Sequence, residues 1–267
     1  MKIYTYWATG KARVSVGNEE KEIKCYGGSN LSEDDALIKA EEKIEKIKNR
    51  IAGHPHVFDD YQVEIREEIV RKINENAAIT RNRYGAQILN IEDQMILDID
   101  RPRFSFWDWF KKQTSAKSKA KIIDMVRTLS KKPIYQGCTF RIYETHKGIR
   151  VIVPGKKFDP KSAAVSDMMK EFNCDALYAL LCKKQDCFRA RLTPKASRMK
   201  LRGHKVTFPR NSEEEEKFRN WLREYETTSQ NFSVCKFIEQ IGPDCLMTEA
   251  VQLHDEITGA HHNQKLA

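Results

Sequence analysis

Short alternations of apolar and polar residues open the chain and predict a β-hairpin over residues 3–25. Gly10 and Gly17 lie at the expected turn points of this hairpin. The run Tyr26-Gly27-Gly28-Ser29-Asn30 should then break the strand, because paired glycines favour turns over extended pairing.

Apolar residues next recur at helical intervals. Ser32, placed three residues before Asp35, has the spacing of an N-cap, and the pattern over 36–51 predicts an amphipathic helix. The same reasoning predicts a second helix over 63–74 and a third over 119–131.

Strands are predicted where β-branched residues cluster between turn signals. Short strands are expected at 87–89 and 95–99, and the run 140–153 predicts a hairpin turning at Lys147-Gly148. Together these segments predict an α/β (α+β) fold whose mixed sheet combines the hairpins with an aspartate-bearing strand.

Helical periodicity dominates the C-terminal part, with helices expected at 162–172, 175–184, 213–225 and 232–241. We therefore expect an α/β domain over 1–210 and a helical extension over 211–267 packed on that domain. The tail from about Gly259 is expected to fray.

The chain has 267 residues and no apolar run of the length that a membrane helix needs, so no membrane partner is expected. Its N-terminus lacks the basic and then apolar pattern of a signal peptide. Both features favour a cytoplasmic location.

The seven cysteines are an odd number without C-x-x-C spacing, which favours reduced, buried thiols. The alternative is a metal site formed by Cys174, Cys182 and Cys187, although their spacing fits no standard zinc pattern.

Charge is distributed unevenly along the chain. The net charge is +9, but positions 101–210 hold 27 Lys and Arg against 8 Asp and Glu, a local net charge of +19. A basic segment of this kind concentrates polyanions, and phosphate backbones are the commonest such partner.

Asp98 and Asp100 are the sharpest chemical signal. On a strand their side chains share one face, while Leu97 and Ile99 occupy the other. Two carboxylates so placed can bind Mg²⁺ or Mn²⁺ for phosphoryl transfer, which makes both candidate catalytic and metal-binding residues. The alternative is a strand end whose aspartates face water.

Two further segments combine basic and aromatic residues. In 80–85, Arg81 and Arg83 could contact phosphates while Tyr84 stacks on a base. In 187–195, the alternation brings Arg189 and Arg191 to one face, and Lys195 follows. The alternative for both segments is a solvated strand and loop.

The order of aspartate strand, helix and hairpin resembles the catalytic palm of the archaeo-eukaryotic primase superfamily. The resemblance aligns Thr145, Gly148 and Arg150 with that family's Ser-x-x-Gly-x-His hairpin, which handles nucleotide phosphates, and Lys147 lies in the same turn. It covers about 60 residues, Arg150 stands where the family has histidine, and none of Asp159, Asp167 and Asp175 fits its third motif.

Several longer motifs also resemble a family of bacterial proteins without an assigned activity, which implies no function. They are Tyr-Gly-Gly-Ser-Asn, Thr-Arg-Asn-Arg-Tyr-Gly-Ala, Asp-Ile-Asp, Tyr-x-Thr-x-x-Gly-x-Arg and Cys-Phe-Arg-Ala-Arg-Leu-Thr-Pro-Lys. The chain contains no Walker loop, G-x-G-x-x-G or G-x-S-x-G motif, so P-loop hydrolysis and hydride transfer are not expected. His254-Asp255 and His261-His262 are assigned to a helix end and the tail.

These features predict a protein that binds nucleic acid or nucleotides, with a metal-dependent nucleotidyltransferase of primase-like type as the enzymatic form. The alternative is a non-catalytic interaction protein whose basic face binds an acidic protein partner or RNA. A third carboxylate near Asp98 and Asp100 would favour the enzyme.

Overall fold

The computed structural model describes residues 1–17, 19–53, 64–101 and 115–267. Within these ranges the fold is α+β, as predicted. The strands are β1 (Tyr6–Val16), β2 (Glu19–Ser29), β3 (Glu68–Asn74), β4 (Ala77–Arg81), β5 (Gln87–Ile91), β6 (Met95–Asp100), β7 (Phe140–Thr145), β8 (Gly148–Val153), β9 (Phe188–Arg191), β10 (Phe232–Ser233), β11 (Cys235–Ile241) and β12 (Lys265–Leu266). The helices are α1 (Glu33–Ile51), α2 (Ser115–Leu129), α3 (Ala163–Glu171), α4 (Ala176–Gln185), α5 (Ser212–Ser229) and α6 (Glu249–Thr258).

Two four-stranded antiparallel sheets form the centre of the fold, in the orders β11-β7-β8-β6 and β3-β4-β5-β9. One hydrophobic cluster joins both sheets, since it contains Leu89 and Ile91 of β5 together with Leu97 of β6 and Val151 of β8. Burial on both faces explains why β6 and β8 are almost continuously apolar.

The N-terminal hairpin is present, but β2 continues through the glycine pair that was expected to end it. A Cβ on Gly27 would overlap the backbone of Ala36 and Ala40, so the missing side chain lets α1 lie against the strand. The predicted cap is confirmed, because the Ser32 hydroxyl accepts a hydrogen bond from the Asp35 amide at 3.1 Å.

The prediction of a helix over 63–74 is wrong in its described part, where residues 68–74 form β3. Val63 lies outside the described residues. Register shifts occur in the β3–β4 pairing between Ile69 and Arg71 and between Lys72 and Asn74. Each shift changes which side chains face inward. The apolar residues of this edge strand therefore recur at intervals similar to those of a helix.

The prediction of a helix over 232–241 is also wrong. This segment forms β10 and β11, and β11 is an edge strand paired with β7, with a register shift between Phe237 and Glu239. Residues 211–267 are therefore not purely helical, because they contribute a strand to the sheet that carries Asp98 and Asp100.

The tail from Gly259 is ordered rather than frayed. Its strand β12 pairs in parallel with β10, Ala267 is buried, and the backbone carbonyl of Leu266 lies 3.1 Å from His146 Nδ1 in the β7–β8 turn. The two residues of β12 are too short a segment for an alternation to be visible in the sequence.

Candidate functional site

Asp98 and Asp100 lie at the end of β6 with the alternation that the sequence predicts. Leu97 and Ile99 are fully buried, whereas Asp98 is half-buried and Asp100 is exposed. Neither carboxylate forms an ion pair or hydrogen bond with another described residue. Both are therefore available to a cation or to a ligand's hydrogen-bond donor.

The β7–β8 hairpin lies directly beside the aspartates. In the β6–β8 register, Asp98 is opposite Arg150 and Asp100 is opposite Gly148. A Cβ on Gly148 would overlap the Ile99 carbonyl, so only glycine permits this close approach. The Gly148 amide donates to the Thr145 hydroxyl at 3.1 Å, which fixes the turn that carries Lys147.

The third contributor is β9 with the segment that follows it. Arg191 lies on β9 opposite Ile88 of β5, and Lys195 and Arg198 follow at a short 3₁₀ turn. Arg191 belongs to the sheet β3-β4-β5-β9, whereas the aspartates belong to the sheet β11-β7-β8-β6, so the site forms where the two sheets meet.

A cavity of about 310 Å³ lies between these elements, and we call it the basic cavity. Of the predicted site residues, it is lined by Asp98, Asp100, Thr145, Lys147, Arg150, Arg189, Arg191 and Lys195. Arg198, Glu67 and Tyr178 also line it and were not among the predicted site residues. Its volume lies at the small end of the range for ligand sites.

Four cations of the basic cavity form no direct ion pair with a described residue, although Asp98 and Asp100 lie in the same cavity. The side chains of Lys147, Arg191, Lys195 and Arg198 form no ion pair or hydrogen bond within this part of the chain. Burial lowers the pKa of Arg191, the nearby Arg150 and Arg198 lower it further, and Tyr225 and Asp98 partly oppose this shift. Burial and the neighbouring Arg191 likewise lower the pKa of Lys195. An anion in the cavity would relieve this repulsion.

Arg189 and Arg81 differ from those four cations, because each is paired with a carboxylate. Arg189 Nη2 lies 2.6 Å from Glu67 Oε2, and both side chains are largely buried. Arg81 is buried and donates to the Gly85 carbonyl and, at 3.2 Å, to Glu226. The structure thus places Arg81 in a structural pair away from the basic cavity.

Arg83 and Tyr84 are exposed at the β4–β5 turn, where Arg83 donates to the Tyr84 hydroxyl at 3.1 Å. Neither side chain lines the basic cavity, although their neighbour Asn82 does. The structure therefore does not bring these two residues together with the aspartates.

The Asp98 carboxyl is electrostatically perturbed. Burial raises its pKa, Asp100 and Asp175 raise it further, and Arg150 and Arg191 partly oppose that rise. A bound cation would favour the ionised form of this carboxyl.

No third carboxylate joins the pair: among residues 1–17, 19–53, 64–101 and 115–267, no three His, Cys, Asp or Glu side chains are grouped to hold a metal ion. Asp175 is the nearest candidate, but its side chain caps α4 by accepting from the Tyr178 amide at 2.7 Å. Asp159 and Asp167 line a separate cavity of about 800 Å³.

His254 was expected at a helix end and is instead fully buried within α6. Its Nε2 lies 3.1 Å from Arg150 Nη1, and its Nδ1 lies 2.9 Å from Asp255 Oδ1. In the sequence, only the adjacent His254-Asp255 pair indicated this site. The contact between His254 and Arg150 could not be seen there, because the two residues are 104 positions apart.

All seven cysteines are free thiols, and five are buried. Burial raises the pKa of Cys174 to about 12, that of Cys182 to about 11 and that of Cys187 to about 12. Among the described residues, these three thiols are not part of any group of His, Cys, Asp or Glu side chains that could hold a metal ion, so the alternative of a cysteine metal site is not supported.

The predicted order of aspartate strand, helix and hairpin is present as β6, α2, β7 and β8. No protein-family model matches the chain, and neither does any curated protein or solved structure. The resemblances to the primase palm and to the bacterial family therefore stay predictions. In the described part of the chain, no helix is both long and apolar enough to cross a membrane.

Proposed function

We propose that the basic cavity binds the phosphate groups of a nucleotide or of nucleic acid. The observation that carries this proposal is a group of four cations next to two aspartates, none of which has an ionic partner among the described residues. The cations are Lys147, Arg191, Lys195 and Arg198. Solvated charge runs on protein surfaces need no ligand, but in this cavity the cations outnumber the two aspartates, and Arg191 and Arg198 are half-buried. An anion that neutralises the excess positive charge would therefore be favourable.

We further propose that Asp98 and Asp100 share a Mg²⁺ or Mn²⁺ ion with the ligand's phosphates. The third carboxylate that would favour an enzyme is not found among the described residues. Binding of the metal therefore relies on the ligand's phosphates, since Mg²⁺ is commonly held by one or two carboxylates together with substrate phosphates. The ion would neutralise charge that develops on a transferred phosphoryl group.

The reaction class in this proposal is nucleotidyl transfer. A hydroxyl oxygen would form a bond to the α-phosphorus of a nucleoside triphosphate while the bond to the bridging oxygen breaks and pyrophosphate leaves. The hydroxyl proton passes to water. In this step Lys147 and Arg191 hold the phosphates, and Arg150 lies beside Asp98 in the register of the two strands.

Calorimetry with a nucleoside triphosphate, with and without Mn²⁺, tests both parts. We expect binding without metal to weaken more than tenfold in Arg191→Gln with Lys195→Gln. The matched control is Lys131→Gln with Lys170→Gln, which removes two exposed charges outside the basic cavity. Asp98→Asn should remove only the increase in affinity that Mn²⁺ provides.

Each alternative predicts a different result. If triphosphate binding is absent, or equal in both double variants, the proposed phosphate site is wrong and an acidic protein partner is favoured. Binding that is lost in the first double variant but unaffected by Mn²⁺ would leave a phosphate-binding protein without the metal.

A further inference from the structure

Arg150 is held by one of its two terminal nitrogens. Its Nη1 donates to the Arg191 carbonyl at 3.0 Å and faces His254 Nε2 at 3.1 Å. Nε is buried without a partner, and no described group accepts a hydrogen bond from Nη2. Nε and Nη2 form one edge of the guanidinium plane, and Arg150 lines the basic cavity. This edge has no partner among the described residues, and it has the geometry for the two parallel hydrogen bonds that a phosphate accepts.

His254 is fixed by a buried set of contacts. Its Nδ1 faces Asp255 Oδ1, and Asp255 Oδ2 pairs with Arg141 Nη2 at 2.6 Å. The ring also packs edge-on against Tyr143, with centroids 5.0 Å apart. A carboxylate at Nδ1 requires the proton there, which leaves the Nε2 lone pair free to accept from Arg150. Burial lowers the pKa of His254 to about 4, so the ring stays neutral in this tautomer at neutral pH.

We infer that His254 is a positioning residue, which accepts a hydrogen bond from Arg150 and so holds the Nε–Nη2 edge of that guanidinium toward phosphate in the basic cavity. This inference rests on the proposed function. It also assigns a role to the buried His254 and to the largely buried pair of Arg141 and Asp255, because taking such charged and polar groups out of water costs free energy.

The first test uses the protein without ligand. In ¹⁵N spectra of the His254 ring we expect a protonated Nδ1 and an unprotonated Nε2. The Arg150 Nε–H signal should shift in His254→Leu and stay close to the wild-type position in His254→Gln, because the glutamine oxygen can replace Nε2 as the acceptor. A ring protonated at Nε2 would overturn the inference even if His254→Leu failed to fold.

The second test measures binding of inorganic tripolyphosphate by calorimetry. His254→Leu should weaken binding about tenfold, whereas His254→Gln should stay within about threefold of wild type. In an Arg150→Met background, His254→Leu should have no further effect, because its influence passes through Arg150. Additive losses in this cycle would mean that His254 acts on the fold in general, and the positioning role would be rejected.

Failure of the proposed function gives a different pattern. If wild-type protein binds no tripolyphosphate, the phosphate site is wrong. The spectra then still decide whether His254 orients Arg150.

Discussion

Arg189 and Arg191 are two positions apart on β9, and both line the basic cavity, yet their guanidinium groups have different partners. Arg189 pairs with Glu67, a residue 122 positions away, while Arg191 has no carboxylate partner among the described residues. The alternation along the strand correctly predicted that both share one face. It could not separate them, because the partner is set by tertiary contact rather than by spacing.

We predict opposite effects of Arg189→Met and Arg191→Met on stability. The first substitution leaves the largely buried Glu67 carboxylate unpaired and should lower the free energy of unfolding by about 3 kcal/mol. The second removes an unpaired, desolvated charge and should leave stability unchanged or higher. Urea unfolding checks both variants. Equal destabilisation would show that Arg191 is also a structural residue.

Asp98→Asn should show that the native carboxylate lowers the free energy of unfolding by an amount that depends on pH. Because the folded-state pKa lies above the ordinary value of 3.8, the unfolded chain loses this proton first. The contribution of Asp98 to the free energy of unfolding therefore falls as pH rises from about 3.8 through the raised pKa. Asparagine does not titrate, so the variant does not lose this stability.

The measurement is thermal melting of Asp98→Asn and wild type at several pH values in chelator. The stability gained by the variant should grow with pH and then level off, and Mn²⁺ with a triphosphate should reduce that gain. The matched control is Asp167→Asn, which removes an exposed carboxylate outside the basic cavity. A variant that melts lower than wild type at neutral pH would contradict the unpaired state of Asp98.

At the scale of elements, prediction was reliable where a segment makes regular contacts along its whole length. The helices α1 and α2 are confirmed, since their buried residues recur at helical spacing, and the β7–β8 hairpin is confirmed, since its β-branched strands pair without a register shift around the predicted turn. The apolar spacing of the edge strands β3 and β11 wrongly predicts helices, because register shifts break the two-residue alternation of a strand. The candidate site depends on the regular elements, so its aspartates and hairpin could be predicted.

Gly148→Ala should disturb both the fold and the site. The added methyl group would overlap the Ile99 carbonyl and push β8 away from β6, at a cost of about 2 kcal/mol or more. Because Asp98 lies opposite Arg150 in this pairing, triphosphate binding should weaken as well.

Gly203→Ala is the matched control, since no described atom lies within 4 Å of its Cβ position, and stability should change by less than about 0.5 kcal/mol. Chemical denaturation and calorimetry measure the two effects. A Gly148→Ala protein with wild-type stability would mean that β6 and β8 are not held at this separation.

For the whole molecule, the sequence located the positive charge within 101–210, but only the fold shows where that charge converges. The basic cavity takes residues from β6, from the β7–β8 turn and from the segment after β9, and these belong to two different sheets. Residues 102–114 of the basic segment lie outside the described ranges. The paired Arg81 and the exposed Arg83 show that a basic residue in a promising motif need not reach the site.

If nucleic acid is the ligand, its affinity should fall steeply with salt, because each phosphate neutralised by a cation releases condensed counter-ions. Four unpaired cations correspond to a slope of log K against log salt of about −3 for a single strand. Replacing Lys147, Arg191, Lys195 and Arg198 with glutamine should remove most of this slope, at about 0.7 unit for each cation replaced. Fluorescence titration of a labelled oligonucleotide at several salt concentrations gives both slopes, with Lys131→Gln and Lys170→Gln as the control.

Inorganic tripolyphosphate should compete with the oligonucleotide when both occupy the basic cavity. A wild-type affinity that does not depend on salt, or a slope that the four substitutions leave unchanged, would place nucleic-acid binding elsewhere on the protein.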